Sequence, residues 1–147
     1  MSNLNIAIGS DHGGFALKEV IKTYLEKNNY DFKDFGVYNG EKADYPVVAK
    51  EIAGLVADCK FDKGILICGS GLGVAIAANK VKGIRAVTCH DTYSSKMSRA
   101  HNNANILTMG GRVVGPDLAC DIVEIWLKTE FEGGRHQKRI EMLEDLV

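Results

Sequence analysis

Cys68 closes the apolar run Ile65-Leu66-Ile67 and opens onto Gly69-Ser70-Gly71-Leu72-Gly73. The residues that follow, Val74 to Lys80, suit a helix, so the thiol falls where a strand stops and a helix starts. Free N–H groups at a helix start carry a partial positive charge that stabilises anions. The same surroundings favour thiolate over thiol, which makes Cys68 a candidate base or nucleophile. The competing reading is packing, because free cysteine commonly behaves as a small buried hydrophobe.

Other polar groups collect around similar loops. Asp11 and His12 lie in Ser10-Asp11-His12-Gly13-Gly14, and Ser70 lies inside the glycine loop beside Cys68. His90-Asp91, His101-Asn102 and Gly110-Gly111-Arg112 flank two later strand-like runs. Titratable groups from separate loops meeting at one sheet edge are what an active site requires. Each also has a structural use: Asp11 as a helix cap, His12 as a turn residue, Ser70 as a cap, and His101-Asn102 as a helix end. The Cys89-His90 pair is taken as structural. Arg135 and Arg139, four apart, share one helical face and suit phosphate, although arginines so spaced more often pair with carboxylates in solvent. Gly133-Gly134 just before them allow that helix start to approach a ligand or a neighbouring subunit.

The glycine loops do not fit nucleotide signatures. Val74 stands where the dinucleotide fingerprint needs its last glycine, and the Gly9–Gly14 loop lacks the Lys-Ser or Lys-Thr of a Walker loop. A small anionic ligand therefore fits better than a nucleotide cofactor.

These groups need a scaffold, and the apolar pattern supplies one. Leu4–Gly9, Tyr30–Val37, Ile65–Ile67, Ile84–Cys89 and Ile106–Met109 are strand-like. Helical spacing runs through residues 15–28, through the segment opened by Pro46, through that opened by Pro116, and after Gly133-Gly134. Strands alternating with helices, without hairpin turns, predict a single-domain α/β fold: a three-layer α/β/α, Rossmann-like arrangement with a five-stranded parallel sheet and a C-terminal helix. Residues 1–147 are expected to form one domain.

Composition narrows the function classes. A formal net charge of −1 gives no reason to expect nucleic acid or an anionic membrane as partner. Met1-Ser2-Asn3-Leu4 lacks the start of a signal peptide, and no apolar run is long enough to span a membrane. The four cysteines are scattered without a Cys-x-x-Cys pair, so reduced thiols in a cytoplasmic protein are expected. No histidine lies four residues from another, so no metal site is expected.

Taken in order, Ser10-Asp11-His12-Gly13-Gly14, Asp44-Tyr45-Pro46, Cys68-Gly69-Ser70-Gly71-Leu72-Gly73, Arg99-Ala100-His101-Asn102 and Gly110-Gly111-Arg112 resemble the type B ribose-5-phosphate isomerase family. That family also includes allose and galactose 6-phosphate isomerases. The likeness runs from the first strand to Arg139. It implies a metal-free, cofactor-free aldose–ketose isomerase of the pentose phosphate pathway, interconverting ribose 5-phosphate and ribulose 5-phosphate through an enediolate. Under the resemblance Cys68 is the base, His101 protonates the ring oxygen during ring opening, and Asp11 assists at the anomeric hydroxyl. The backbone of Gly69, Ser70, Gly71, Leu72 and Gly73, with the Ser70 hydroxyl, holds the enediolate oxygen. His12, Tyr45, Asn102, Arg112, Arg135 and Arg139 hold the substrate, the arginines chiefly its phosphate. Many relatives carry threonine in place of Ser70. A subgroup uses a glutamate after the glycine loop as base, and Val74 occupies that place here, leaving Cys68.

The resemblance also implies a homodimer or higher homo-oligomer with sites built from two chains. Two readings from other classes are weaker. A sugar-phosphate-binding regulatory domain would not need Cys68, Asp11 and His101 together. A receiver domain would need an aspartate where Cys68 stands. Within the enzyme class, the alternative substrate is a six-carbon aldose 6-phosphate.

Overall fold

The computed structural model describes residues 4–146. Five strands, β1 (Asn5–Ser10), β2 (Asp31–Asp34), β3 (Lys63–Cys68), β4 (Ala86–Thr88) and β5 (Ile106–Gly110), pair in parallel in the order β2-β1-β3-β5-β4. The chain steps outward from β1 to β2 and returns to β3 on the other side. The switch point therefore lies between β1 and β3, and the crevice beyond their carboxyl ends is where open α/β sheets bind ligands. Asp11 and Cys68 flank that crevice.

Strand alternation sorts the core into two layers. Ile6, Ile8, Ile65, Ile67, Leu107 and Met109 face α1 (Phe15–Lys27) and α5 (Pro116–Lys128), where Leu17, Ile21, Ile122 and Trp126 cover them. Ala7, Leu66, Cys68 and Ile106 face α2 (Tyr45–Ala57) and α3 (Leu72–Ala78), against Val48, Ile52 and Val74. Cys68 thus lies on the opposite face of the sheet from the layer that buries Cys89. No helix among the described residues is long and apolar enough to cross a membrane.

Two further elements depart from the apolar pattern. Helix α4 (Thr92–Ala100) has no apolar stripe; its buried face is Ser95, Ser98, Arg99 and Ala100. Asp91 caps it by accepting the Ser94 N–H at 2.6 Å, and the Ser95 hydroxyl donates to the Ile122 carbonyl at 2.8 Å. Strand β2 stops at Asp34, short of the expected Val37, because Gly36 takes a φ of 102° that no regular strand uses. The last helix, α6 (Arg135–Glu144), begins directly after Gly133-Gly134 as the sequence suggests.

A buried ion pair fixes the end of β2. Lys18 on α1 has a side chain 0% exposed; it donates to Asp34 at 2.8 Å and to the Val37 carbonyl. Burial pushes the Asp34 carboxyl up, but bonds from Lys18, the Gly36 N–H and Lys22 more than offset this and hold it below the usual carboxylate range. A depressed folded-state pKa contributes stability above the unfolded pKa, and that contribution is lost as pH falls through the folded value. Asp34→Asn is expected to cost about 3 kcal/mol at neutral pH, because it leaves Lys18 buried without its counter-charge. The deficit should begin to shrink below about pH 4, where the unfolded chain takes up the proton first, and continue to shrink until the folded carboxylate is itself protonated. Thermal unfolding of both proteins at pH 7 and at pH 3 checks it; a deficit that does not change with pH would refute the assignment.

Candidate active site

Three loops meet backbone to backbone at the carboxyl edge. The Asp11 N–H donates to the Ile67 carbonyl at 3.3 Å, Gly111 N–H to the Cys68 carbonyl at 2.8 Å, and Arg112 N–H to the Gly69 carbonyl at 3.1 Å. The contact is too close for side chains at several points, of which two serve as examples. A Cβ on Gly71, whose φ is +80°, would sit 2.6 Å from the Met109 carbonyl carbon, and one on Gly111 would sit 2.6 Å from the Gly13 carbonyl oxygen. The floor of the crevice is therefore main chain. Side chains stand around it. The Arg112 guanidinium lies over Gly69, with Nη1 3.1 Å from the space a Cβ there would fill, and the Tyr45 ring lies against Gly73 in the same way at 2.5 Å.

Cys68 ends β3 with 5% of its surface exposed, and its sulfur accepts the Gly71 N–H at 3.1 Å. An N–H aimed at sulfur has the polarity that suits a sulfur acting as a base. The other cysteines differ. Burial pushes the Cys89 thiol up to about 11, and burial with nearby Asp117 and Asp121 raises Cys120. Asp11 is 8% exposed and caps the 3-10 turn His12–Gly14 by accepting the Gly14 N–H at 3.2 Å. It is the helix cap the sequence suggested, and it also borders the crevice. His12 accepts the Ala43 N–H on Nδ1 at 3.4 Å. The Ser70 hydroxyl is exposed and accepts the Leu72 N–H at 3.2 Å. His90 is structural: its Nε2 accepts the Gly110 N–H at 2.9 Å, and burial keeps its pKa below the ordinary imidazole value.

His101, Asn102, Arg135 and Arg139 are not at this edge. His101-Asn102 follow α4 and precede β5, so they close a helix-to-strand connection at the amino edge of the sheet. There Asn105 bonds the backbone of Gly64 and Arg85, at the starts of β3 and β4. The gap to Cys68 is one strand length, about 15 Å. The expectation that all the polar loops share one edge is corrected for these residues within a single chain. Arg99, 7% exposed, stitches the end of α4 to this edge by donating to the carbonyls of Thr129 at 3.3 Å and Ala104 at 2.7 Å. A cavity of about 510 Å³ opens beside it, lined by His101, Asn102, His136, Arg139, Ile140 and Leu143 among others. That volume lies in the ordinary range for small-molecule sites.

Nothing in residue spacing announces the group around His101. Its ring stacks on His136 with centroids 4.1 Å apart and planes 12° from parallel, and Glu132 Oε1 lies 3.8 Å from His101 Nε2 and 3.6 Å from His136 Nε2. Two histidines and a carboxylate this close are a candidate metal set. Their orientation argues against it. A metal-ligating nitrogen points its in-plane lone pair at the ion, and two stacked, nearly parallel rings cannot both contain one ion in their planes. Burial, with the neighbouring Arg135 guanidinium, lowers the His136 pKa from its ordinary value.

Residues 6–143 match the ribose/galactose isomerase family. The chain belongs to that family. The isomerase match is full-length on both sides. Ribose-5-phosphate isomerase B of Escherichia coli K12 is 49% identical over 138 residues, 94% of this chain and 93% of that one. A D-erythrulose-4-phosphate isomerase of Pectobacterium atrosepticum is 45% identical over 141 residues, 95% of this chain and 93% of that one. Among solved structures, ribose-5-phosphate isomerase B of Clostridium thermocellum superposes with a TM-score of 0.95 at 52% identity, covering 97% of each chain. Isomerases of this family thus include members named for sugars of different length at similar distance from this chain.

Proposed function

We propose that this chain is an aldose–ketose isomerase that interconverts ribose 5-phosphate and ribulose 5-phosphate, with Cys68 as the base. The observation that carries the reading is the Cys68 sulfur at the switch-point crevice, capped by the Gly71 N–H at 3.1 Å. In the open-chain aldose the thiolate removes the C2 proton, and the electron pair left behind forms an enediolate with its charge on the C1 oxygen. The C2 hydroxyl proton passes to the neighbouring C1 oxygen, which moves the charge to the C2 oxygen. The same sulfur then delivers its proton to C1 as the C2 carbonyl forms, giving the ketose with no net change in the enzyme. Donors fixed where the oxyanion forms lower the barrier most, because they need no reorganisation during the step. The Gly71 and Leu72 amides are already engaged, so the remaining amides of Gly69–Gly73 and the Ser70 hydroxyl are the ones to receive the oxyanion. Asp11 borders the crevice where the anomeric hydroxyl of the closed sugar would lie, and His12, Tyr45 and Arg112 form its walls.

The working unit is at least a dimer. His101, Asn102, Arg135 and Arg139, needed for ring opening and phosphate binding, lie a strand length away from Cys68 in one chain. A two-fold axis brings one copy's amino edge to the other's carboxyl edge and makes two equivalent sites at once. The pentose phosphate pathway and the cytoplasm are the setting this reading expects.

Turnover of ribose 5-phosphate, allose 6-phosphate and galactose 6-phosphate, compared in one coupled assay with and without EDTA, tests the reading. The highest kcat/KM is expected for ribose 5-phosphate, unchanged by the chelator. A clear preference for a six-carbon phosphate would replace the substrate. Activity lost to EDTA and restored by a divalent ion would overturn the metal-free mechanism.

A further inference from the structure

The amide that caps Cys68 is itself held in place from the sheet. Thr108 on β5 is fully buried, and its hydroxyl lies 2.7 Å from the Gly71 carbonyl oxygen. Thr88, its register partner on edge strand β4, lies 2.8 Å from the Thr108 hydroxyl and 3.1 Å from the same carbonyl. One arrangement satisfies the group with the shorter contacts: Thr88 donates to Thr108, and Thr108 donates to Gly71. Gly71 has φ 80° and ψ −7°, which turns its carbonyl oxygen away from its own nitrogen. Anchoring that oxygen toward the β4–β5 side therefore sets where the Gly71 N–H faces, and it faces the Cys68 sulfur. The strand register supports the geometry. Thr108 pairs with Leu66 and Gly110 with Cys68, so the threonine lies on the cysteine's face of the sheet, one pleat behind it.

We infer that Thr108, backed by Thr88, is a positioning residue for the base: the threonine pair holds the Gly71 peptide so that its N–H stays on the Cys68 sulfur. Neither hydroxyl touches substrate. The inference rests on Cys68 being the base, and it extends that reading from the crevice into the sheet. Losing the Thr108 hydroxyl leaves the Gly71 carbonyl poorly satisfied and frees the αL glycine to shift, while the substrate contacts stay as they were.

Thr108→Val keeps the shape and removes the donor, and Thr108→Ser restores it. Thr108→Val is expected to lower kcat about tenfold with KM within about twofold, the pattern of an interaction that serves only the chemical step. It should also slow iodoacetamide alkylation of Cys68, followed by peptide mass spectrometry. Thr108→Ser should recover most of both. Thr88→Val, on the partly exposed edge strand, should give the same pattern with a smaller change, and it serves if the buried valine does not fold. A folded Thr108→Val or Thr88→Val enzyme with wild-type kcat and unchanged or faster alkylation, in a protein that Cys68→Ala inactivates, would overturn the tether alone. Activity retained by Cys68→Ala would instead remove the base reading beneath it.

Discussion

Cys68→Ala is expected to lower kcat by about 100-fold or more, since a positioned base contributes at least that much. Binding of a non-reacting sugar-phosphate analogue should stay within about twofold of wild type, because in the proposed mechanism the sulfur serves proton transfer and not ground-state recognition. The crevice supports this split: Arg112 lies over a floor whose loops are joined main chain to main chain. Alkylation gives a second readout. Substrate should protect Cys68, and Cys89, whose thiol burial pushes up to about 11, should react slowly whether substrate is present or not. Activity within about tenfold of wild type in Cys68→Ala would remove the base from the mechanism.

Mixing two inactive enzymes should restore activity. The proposed edge-to-edge dimer predicts that Cys68→Ala and His101→Asn subunits, each inactive alone, complement when they exchange. In a mixed dimer one site carries both lesions, and the other combines intact Cys68 from one chain with intact His101 from its partner. With equal amounts and random re-pairing, roughly a quarter of all sites become active, which follows from the two-fold symmetry alone. Subunit exchange demonstrated by native mass spectrometry, with no activity regained, would mean that each chain builds its own site.

Much of the scaffold was legible from apolar spacing. The run Ile65-Leu66-Ile67 and the helix-opening Pro46 and Pro116 place the sheet and two of its covering helices within a few residues of where they lie. Helix α4 was not legible, because Ser95, Ser98 and Arg99 bury their polar groups by hydrogen bonding and leave no apolar period to detect. That omission had a consequence for the site. Without α4 crossing the sheet, nothing in the sequence assigns His101 and Asn102 to the amino edge, and they appear to join the carboxyl-edge loops. Pairwise arrangements such as His101 on His136, or Thr88 with Thr108, depend on elements that only tertiary packing brings together. Composition and spacing carry no trace of them.

The main-chain floor also limits how this enzyme can change. A Cβ at Gly71 or Gly111 would meet neighbouring backbone at 2.6 Å, so neither position can accept a side chain without forcing the loops apart. A surface made of amides has no side chains for mutation to adjust, so the floor itself is closed to adaptation. On the proposed reading, discrimination between sugars of different length falls to the walls, Tyr45 and Arg112, and to the groups a second copy would bring. Libraries meant to redirect the enzyme to longer or shorter sugar phosphates should sample those walls and leave the glycines alone.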